Sequence, residues 1–111
     1  TKSYKTIGLA ENALFDALVQ WQLDKRETTT AVKAKLVAAL PLYDDAIKNA
    51  NAWVDSVYPI KPGQPMPAER ADLAIYPYNL GVRKAGIQAM LKTDVGQKPD
   101  MGFLQVDVVE R

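Results

Sequence analysis

Histidine and cysteine are both missing from this chain of 111 residues. Without cysteine there is no disulfide framework, no thiolate nucleophile and no thiolate metal site, and the absence leans toward a reducing compartment. Without histidine the commonest general base near neutral pH and the commonest metal ligand are gone. Zinc enzymes, Ser-His-Asp hydrolases and Cys-His nucleophile systems therefore cannot be assembled within one chain. Long apolar runs are scarce as well. The stretch 36–42 contains Pro41, and no segment approaches the roughly 20 apolar residues that span a bilayer. Charge of one sign is lacking too: 14 basic residues face 13 acidic ones, and residues 1–60 hold seven of each. No basic arm is available to neutralise phosphates, so nucleic acid is not an expected partner. The glycines form neither Gly-x-Gly-x-x-Gly nor a phosphate loop. The expectation is no cofactor, no metal and no membrane. The segment Thr1-Lys2-Ser3-Tyr4 has no apolar signal core, which favours a cytoplasmic or particle-assembled protein. A signal already removed leaves no trace, so processed secretion stays open.

What is present reads as a folded protein. Apolar residues make up 48% and charged residues 24%, a globular balance, and the length suits one domain over 1–111. Tyr4 to Ile7 reads as a short N-terminal strand. Residues 9–25 follow as a first helix, with Leu14, Ala17, Leu18 and Trp21 on one face and Phe15 alongside. Asn12, Asp16, Gln20 and Asp24 form the opposite polar row, and Thr28-Thr29-Thr30 offers a cap for the next helix.

Over 31–57, Val32, Leu36, Leu40, Tyr43, Ile47, Ala50, Val54 and Val57 stay in phase at three and four. This predicts one long helix kinked at Pro41, because the stripe keeps its phase through the proline. The small-residue row Ala46 and Ala50 beside Trp53 admits a close neighbour. Residues 58–67 carry four prolines and a glycine and form a stiff elbow. Pro67 suits the first position of a third helix, expected to end near 75. After a break at Tyr76-Pro77-Tyr78, a further helix is expected over 79–92, with Leu73, Tyr76, Leu80, Ile87 and Leu91 as the buried stripe. Beyond a loop at 94–102, Leu104, Val106 and Val108 alternate with Gln105 and Asp107, the pattern of a C-terminal strand. The fold class is mainly α, with three to four helices and a strand at each end.

The chemistry left to such a chain is that of carboxylates, lysine, tyrosine and arginine. Asp44 and Asp45 are adjacent, and neighbours on a helix point about 100° apart, so they make no facing dyad. Arg70, Arg83 and Lys84 lie in alanine-rich and apolar surroundings, and with Tyr76 and Tyr78 they outline a candidate anion site. The competing reading gives these cations structural salt bridges to Glu69, Asp72 or the Asp44-Asp45 pair. No nucleophile or general acid stands out beside them. Trp53, Tyr58 and Pro62 around the elbow, with Leu104, Val106 and Val108 of the last strand, form a candidate protein interface.

From residue 45 to 78, the helix ending in Tyr58-Pro59, the elbow Pro59, Pro62, Pro65 and Pro67, and a following helix with Tyr76 and Tyr78 together resemble small phage head-tail connector proteins. The resemblance covers under a third of the chain and implies a structural subunit built into a particle. A strand with no obvious partner in its own chain points the same way, toward association with a second subunit. The reading is a non-enzymatic structural or interaction subunit, a homo-oligomer or the partner of another protein. The alternative is a small helical enzyme, or an accessory subunit of one, that binds an anionic ligand through Arg70, Arg83 or Lys84.

Overall fold

A computed structural model describes residues 2–109. It contains three α-helices, α1 (Lys2–Leu23), α2 (Thr30–Val57) and α3 (Ala68–Leu91), and a 3-10 turn, Gly102–Gln105. No β-strand occurs among the described residues, so the helical class holds and both expected strands are corrected. At the N-terminus the stripe Ile7, Ala10, Leu14 and Ala17 is buried. Its spacing of three and four carries the first helix back through residues 4–7.

At the C-terminus the alternation of Leu104, Val106 and Val108 is satisfied without a second strand. Val106 is extended (φ −78°, ψ 147°), but α3 side chains take the place of a ladder. Asn79 Nδ2 donates to the carbonyl of Asp107 at 2.6 Å, and Arg83 Nη2 donates to that of Val106 at 3.2 Å. The backbone acceptors that made a lone strand implausible are thereby paired. Residues 110 and 111, the end of the expected strand, lie outside the described residues.

The prolines interrupt less than their chemistry suggests. α2 runs through Pro41 as one helix. Pro41 and Val37 are both exposed, so the bond that the proline removes lies on the outer side of the helix. α3 likewise runs unbroken through Pro77 and Gly81, and the expected break at 76–78 is absent. The Pro77 ring is buried and lines a small apolar pocket with Trp53, Tyr76 and Val108, and that packing offsets a missing backbone bond. Pro67 precedes the first turn of α3 as its N-cap, with φ −58°.

α2 is the central layer and packs on both neighbours, while the backbones of α1 and α3 do not come close to one another. This explains the long buried series on α2: Val32, Leu36, Ala39, Tyr43, Ala46, Ala50 and Val54. The alanines let the flanking helices approach. The result is a rod of 53 × 23 × 23 Å. At one end the α1–α2 corner turns through two non-glycine residues of positive φ, Lys25 (61°) and Arg26 (62°). The Arg26 amide bonds back to Trp21 at 2.7 Å, and the Asp24 carboxylate accepts from Gln20 and Thr29. Thr29 caps α2 by accepting from the Val32 amide, and the buried Thr28 hydroxyl donates to the Thr93 carbonyl. The elbow at the other end is exposed from 59 to 66.

After α3 the chain turns back and runs antiparallel to it, so that residues 102–109 lie on the side where α1 and α3 diverge. Phe103 sits directly on Gly86: a β-carbon there would lie 2.0 Å from the phenyl ring. Gly86→Ala should lower stability by about 1–3 kcal/mol through overpacking. In a Phe103→Ala background the same change should be neutral, or stabilising by up to about 1 kcal/mol, because alanine is the better helix former. Urea unfolding of the four chains checks this, and an equal loss in both backgrounds would mean the ring is not what excludes the methyl group.

Candidate functional site

Polar side chains from all three helices meet at mid-length of the rod. Glu11 stands on the edge of the buried stripe of α1, about one turn on from Ile7 and half-buried. Tyr43 comes from the centre of α2, where it is fully buried, and Arg83 from α3, where it is 8% exposed. The Tyr43 hydroxyl donates to Glu11 Oε1 at 2.6 Å. Arg83 Nε lies 3.5 Å from the same oxygen as an ion pair and makes no hydrogen bond, while Nη2 reaches the Val106 carbonyl. One carboxylate thus joins α1 to α2 and α3, and the guanidinium passes the link on to the C-terminal segment.

Two clefts open on either side of this cluster, and both are lined by Glu11 and Arg83. One, of about 300 Å³, runs between Tyr4, Ile7 and Gly8 of α1 and residues 106–109. The other, of about 380 Å³, lies between Asn12, Phe15 and Leu18 of α1 and Leu104. The cluster at their floor is poorly suited to chemistry. Burial raises the Tyr43 pKa far above the ordinary tyrosine value; the hydrogen bond to Glu11 and that residue's charge raise it further, and Arg83 opposes only in part. The phenol stays protonated and is neither base nor nucleophile. Arg83 is neutralised by Glu11 before any ligand arrives.

The other residues singled out from the sequence are dispersed. Arg70 pairs with Asp55 at 2.5 Å and donates to the Tyr58 carbonyl at 2.7 Å, tying the ends of α2 and α3 across the elbow. Lys84 pairs with Asp44 at 2.6 Å. Of the salt bridges expected from the sequence, the one to the Asp44-Asp45 pair is present, whereas Arg70 and Arg83 choose Asp55 and Glu11. Glu69 and Asp72 are exposed. Tyr76 lines the apolar pocket with Trp53, and Tyr78 projects into solvent. Pro62 is exposed, Leu104 and Val106 are half-buried, and Val108 is buried against its own chain. No group of three or more metal-ligating side chains occurs among the described residues, and no helix is long and apolar enough to cross a membrane.

Sequence reasoning missed Glu11, Tyr43 and Asn79 as a polar set. The available signal was a carboxylate abutting an apolar stripe and a tyrosine in the middle of another. The chain matches no family model, no curated protein and no solved structure.

The raised Tyr43 pKa fixes a pH dependence. The unfolded tyrosine releases its proton near pH 10, whereas the folded one holds it. Its contribution to stability is therefore complete below about pH 10 and is lost as pH rises above it, by up to about 1.4 kcal/mol per pH unit. Tyr43→Phe should cost about 1–2 kcal/mol at pH 7 and should flatten the alkaline limb of stability. Glu11→Ala, which leaves a buried guanidinium unpaired, should cost about 3–5 kcal/mol. Denaturant melts from pH 7 to 11.5 on the three chains decide the point.

Proposed function

We propose that this chain is a non-catalytic interaction subunit that associates with copies of itself. The observation that supports it is the outward face of α1. Tyr4, Leu9, Phe15, Val19 and Leu23 are 52, 50, 65, 42 and 72% exposed. They lie on the side opposite the buried stripe Ile7, Ala10, Leu14 and Ala17, and expose on the order of 500 Å² of apolar surface. Exposed apolar residues scattered singly are ordinary, whereas five on one side of a helix, interspersed with the exposed Lys5, Asn12 and Asp16, suit an amphipathic contact surface. The sequence placed Phe15 next to the core; its exposure moves it to this outer face.

The support for association thus shifts from the C-terminal segment to α1. Residues 103–109 are engaged with α3 of their own chain, so their backbone no longer demands a second subunit. The polar cluster supports the same reading from the other side, since its arginine is matched, its tyrosine is held neutral and neither is left for catalysis. The anionic-ligand alternative would need Arg70, Arg83 or Lys84 to face a cavity together with Glu69 or Asp72, and each of these cations instead holds a different carboxylate.

Light scattering over a concentration series should give a mass above the 12.2 kDa of one chain, rising toward a defined multiple. The double variant Phe15→Glu/Leu23→Glu should remain at one chain with an unchanged helical signal and unchanged melting, because both side chains are exposed. A single-chain mass for the natural sequence up to millimolar concentration would sink the proposal.

A further inference from the structure

We infer that the cleft at the α1–α2 corner binds a small organic phosphate, held between Lys25 and Arg26 on one wall and Lys98 on the other. The site is independent of the self-association proposed above. It has a volume of about 360 Å³, within the range of small-molecule pockets. Its two walls are far apart in sequence and are joined by two bonds. The Gly96 amide donates to Glu27 Oε2 at 2.6 Å, and the buried Thr28 hydroxyl donates to the Thr93 carbonyl at 3.0 Å. The cleft is thus formed before a ligand arrives. Lys25, Arg26 and Lys98 line it with a single carboxylate, Glu27, a surplus of two positive charges. Lys25 and Lys98 make no ion pair among the described residues. Arg26 commits only its Nε, to the neutral amide of Gln22 at 3.3 Å, which leaves both terminal guanidinium nitrogens for a ligand. Asp24, Asp94 and Asp100 stand outside the lining, and Asp24 accepts from Gln20 and Thr29. Arg70, Arg83 and Lys84, by contrast, each hold a carboxylate already.

Two further observations point to a ligand. The end of α1 is closed by the Arg26 amide on the Trp21 carbonyl and the Lys25 amide on the Gln22 carbonyl, a motif whose left-handed position ordinarily falls to glycine. Here Lys25 (φ 61°) and Arg26 (φ 62°) take that region in succession, although each carries a β-carbon that disfavours it. The negative pole of α1 favours cations nearby but does not require them at left-handed positions. Strained backbone of this kind collects where a ligand is held. In the same wall the indole N–H of Trp21 is buried and has no acceptor, a donor that the fold itself leaves unexplained. The charge surplus selects the ligand. A phosphate monoester is a dianion above about pH 7, and an arginine fork with two lysine ammonium groups suits its oxygens. Beside them Trp21 and Pro99 give the cleft an apolar flank, and its size takes an organic body together with the phosphate.

Phenyl phosphate is the probe. In a Trp53→Phe chain, which leaves Trp21 as its one indole, phenyl phosphate at about pH 7.5 and constant ionic strength should change the emission along a saturating curve, with Kd on the order of 0.1–1 mM. Lys25→Gln/Lys98→Gln should weaken binding by about ten-fold or more. Lys48→Gln/Lys61→Gln removes the same charge from exposed positions outside the cleft and should leave Kd within about two-fold. Equal weakening by both pairs would reduce the effect to general attraction, and a signal that never saturates would leave the cleft without a ligand; either result overturns the inference. Inorganic phosphate should bind more weakly than the ester, and equal affinity would overturn the organic assignment in favour of the free ion. As a second readout, Lys25→Gly should raise the melting temperature of the free chain, because glycine accepts the left-handed φ, and should weaken phenyl phosphate binding at the same time. Unchanged binding in that variant would remove Lys25 from the site and make its turn a structural closure alone.

Discussion

Glu11 places one carboxylate oxygen where three helices converge, and the arrangement of the chain follows from how that charge is met. Tyr43 donates to it from α2 and Arg83 pairs with it from α3, so the three helices are fixed against one another in rotation as well as in distance. Apolar packing alone is tolerant of a helix turning by a few tens of degrees about its axis. A buried guanidinium beside a half-exposed carboxylate that also accepts from a buried phenol is less so, because a small rotation parts the guanidinium from its counter-charge and the phenol from its acceptor. The same guanidinium then reaches the Val106 carbonyl. The C-terminal segment is thus positioned by a residue whose own position depends on α1, although α1 and that segment are almost the whole chain apart in sequence.

The helices were legible because each carries a buried stripe at three and four. Of the series expected on α2, Val32, Leu36, Tyr43, Ala50 and Val54 are buried and Ala39 and Ala46 join them, while Leu40 and Ile47 are half-buried and Val57 is exposed; of the three threonines offered as a cap, Thr29 serves. The failures share one cause. Proline, glycine and alternation act locally, whereas tertiary contacts decide whether the local preference is honoured. Pro41 lies on the exposed side of α2, the Pro77 ring is buried, and residues 104–108 forgo strand pairing because Asn79 and Arg83 supply the donors. The polar cluster was only half legible. Arg83 stood out as a cation among apolar neighbours, but its partner lies 72 positions away on another helix, and no periodicity within either helix encodes that distance.

Phe15 shows how a single-sequence reading assigns side chains to faces too generously. Its helical phase lies well round from the line through Ile7, Leu14 and Ala17, close enough to be taken as a flank of the core in a helix surrounded on several sides. α1 is not surrounded. In a layered arrangement with α2 at the centre, an outer helix has one full neighbour, and the C-terminal segment covers only part of the gap toward α3. A residue at that angle is therefore left in solvent, and with it Val19 and Leu23 one and two turns further on.

That layering also bears on why a chain of this size exposes such a face at all. A rod 23 Å across has more surface for its volume than a sphere of the same mass, and its outer helices retain half of their circumference in water. The Lys84–Asp44 pair joins α3 to α2, the returning segment lies along α3, and α2 is covered on two sides. α1 and α3 each have a single helical neighbour, and both leave large apolar residues in water: Leu9, Phe15 and Leu23 on α1, beside the exposed Lys5 and Asp16, and Ile75 and Tyr78 on α3.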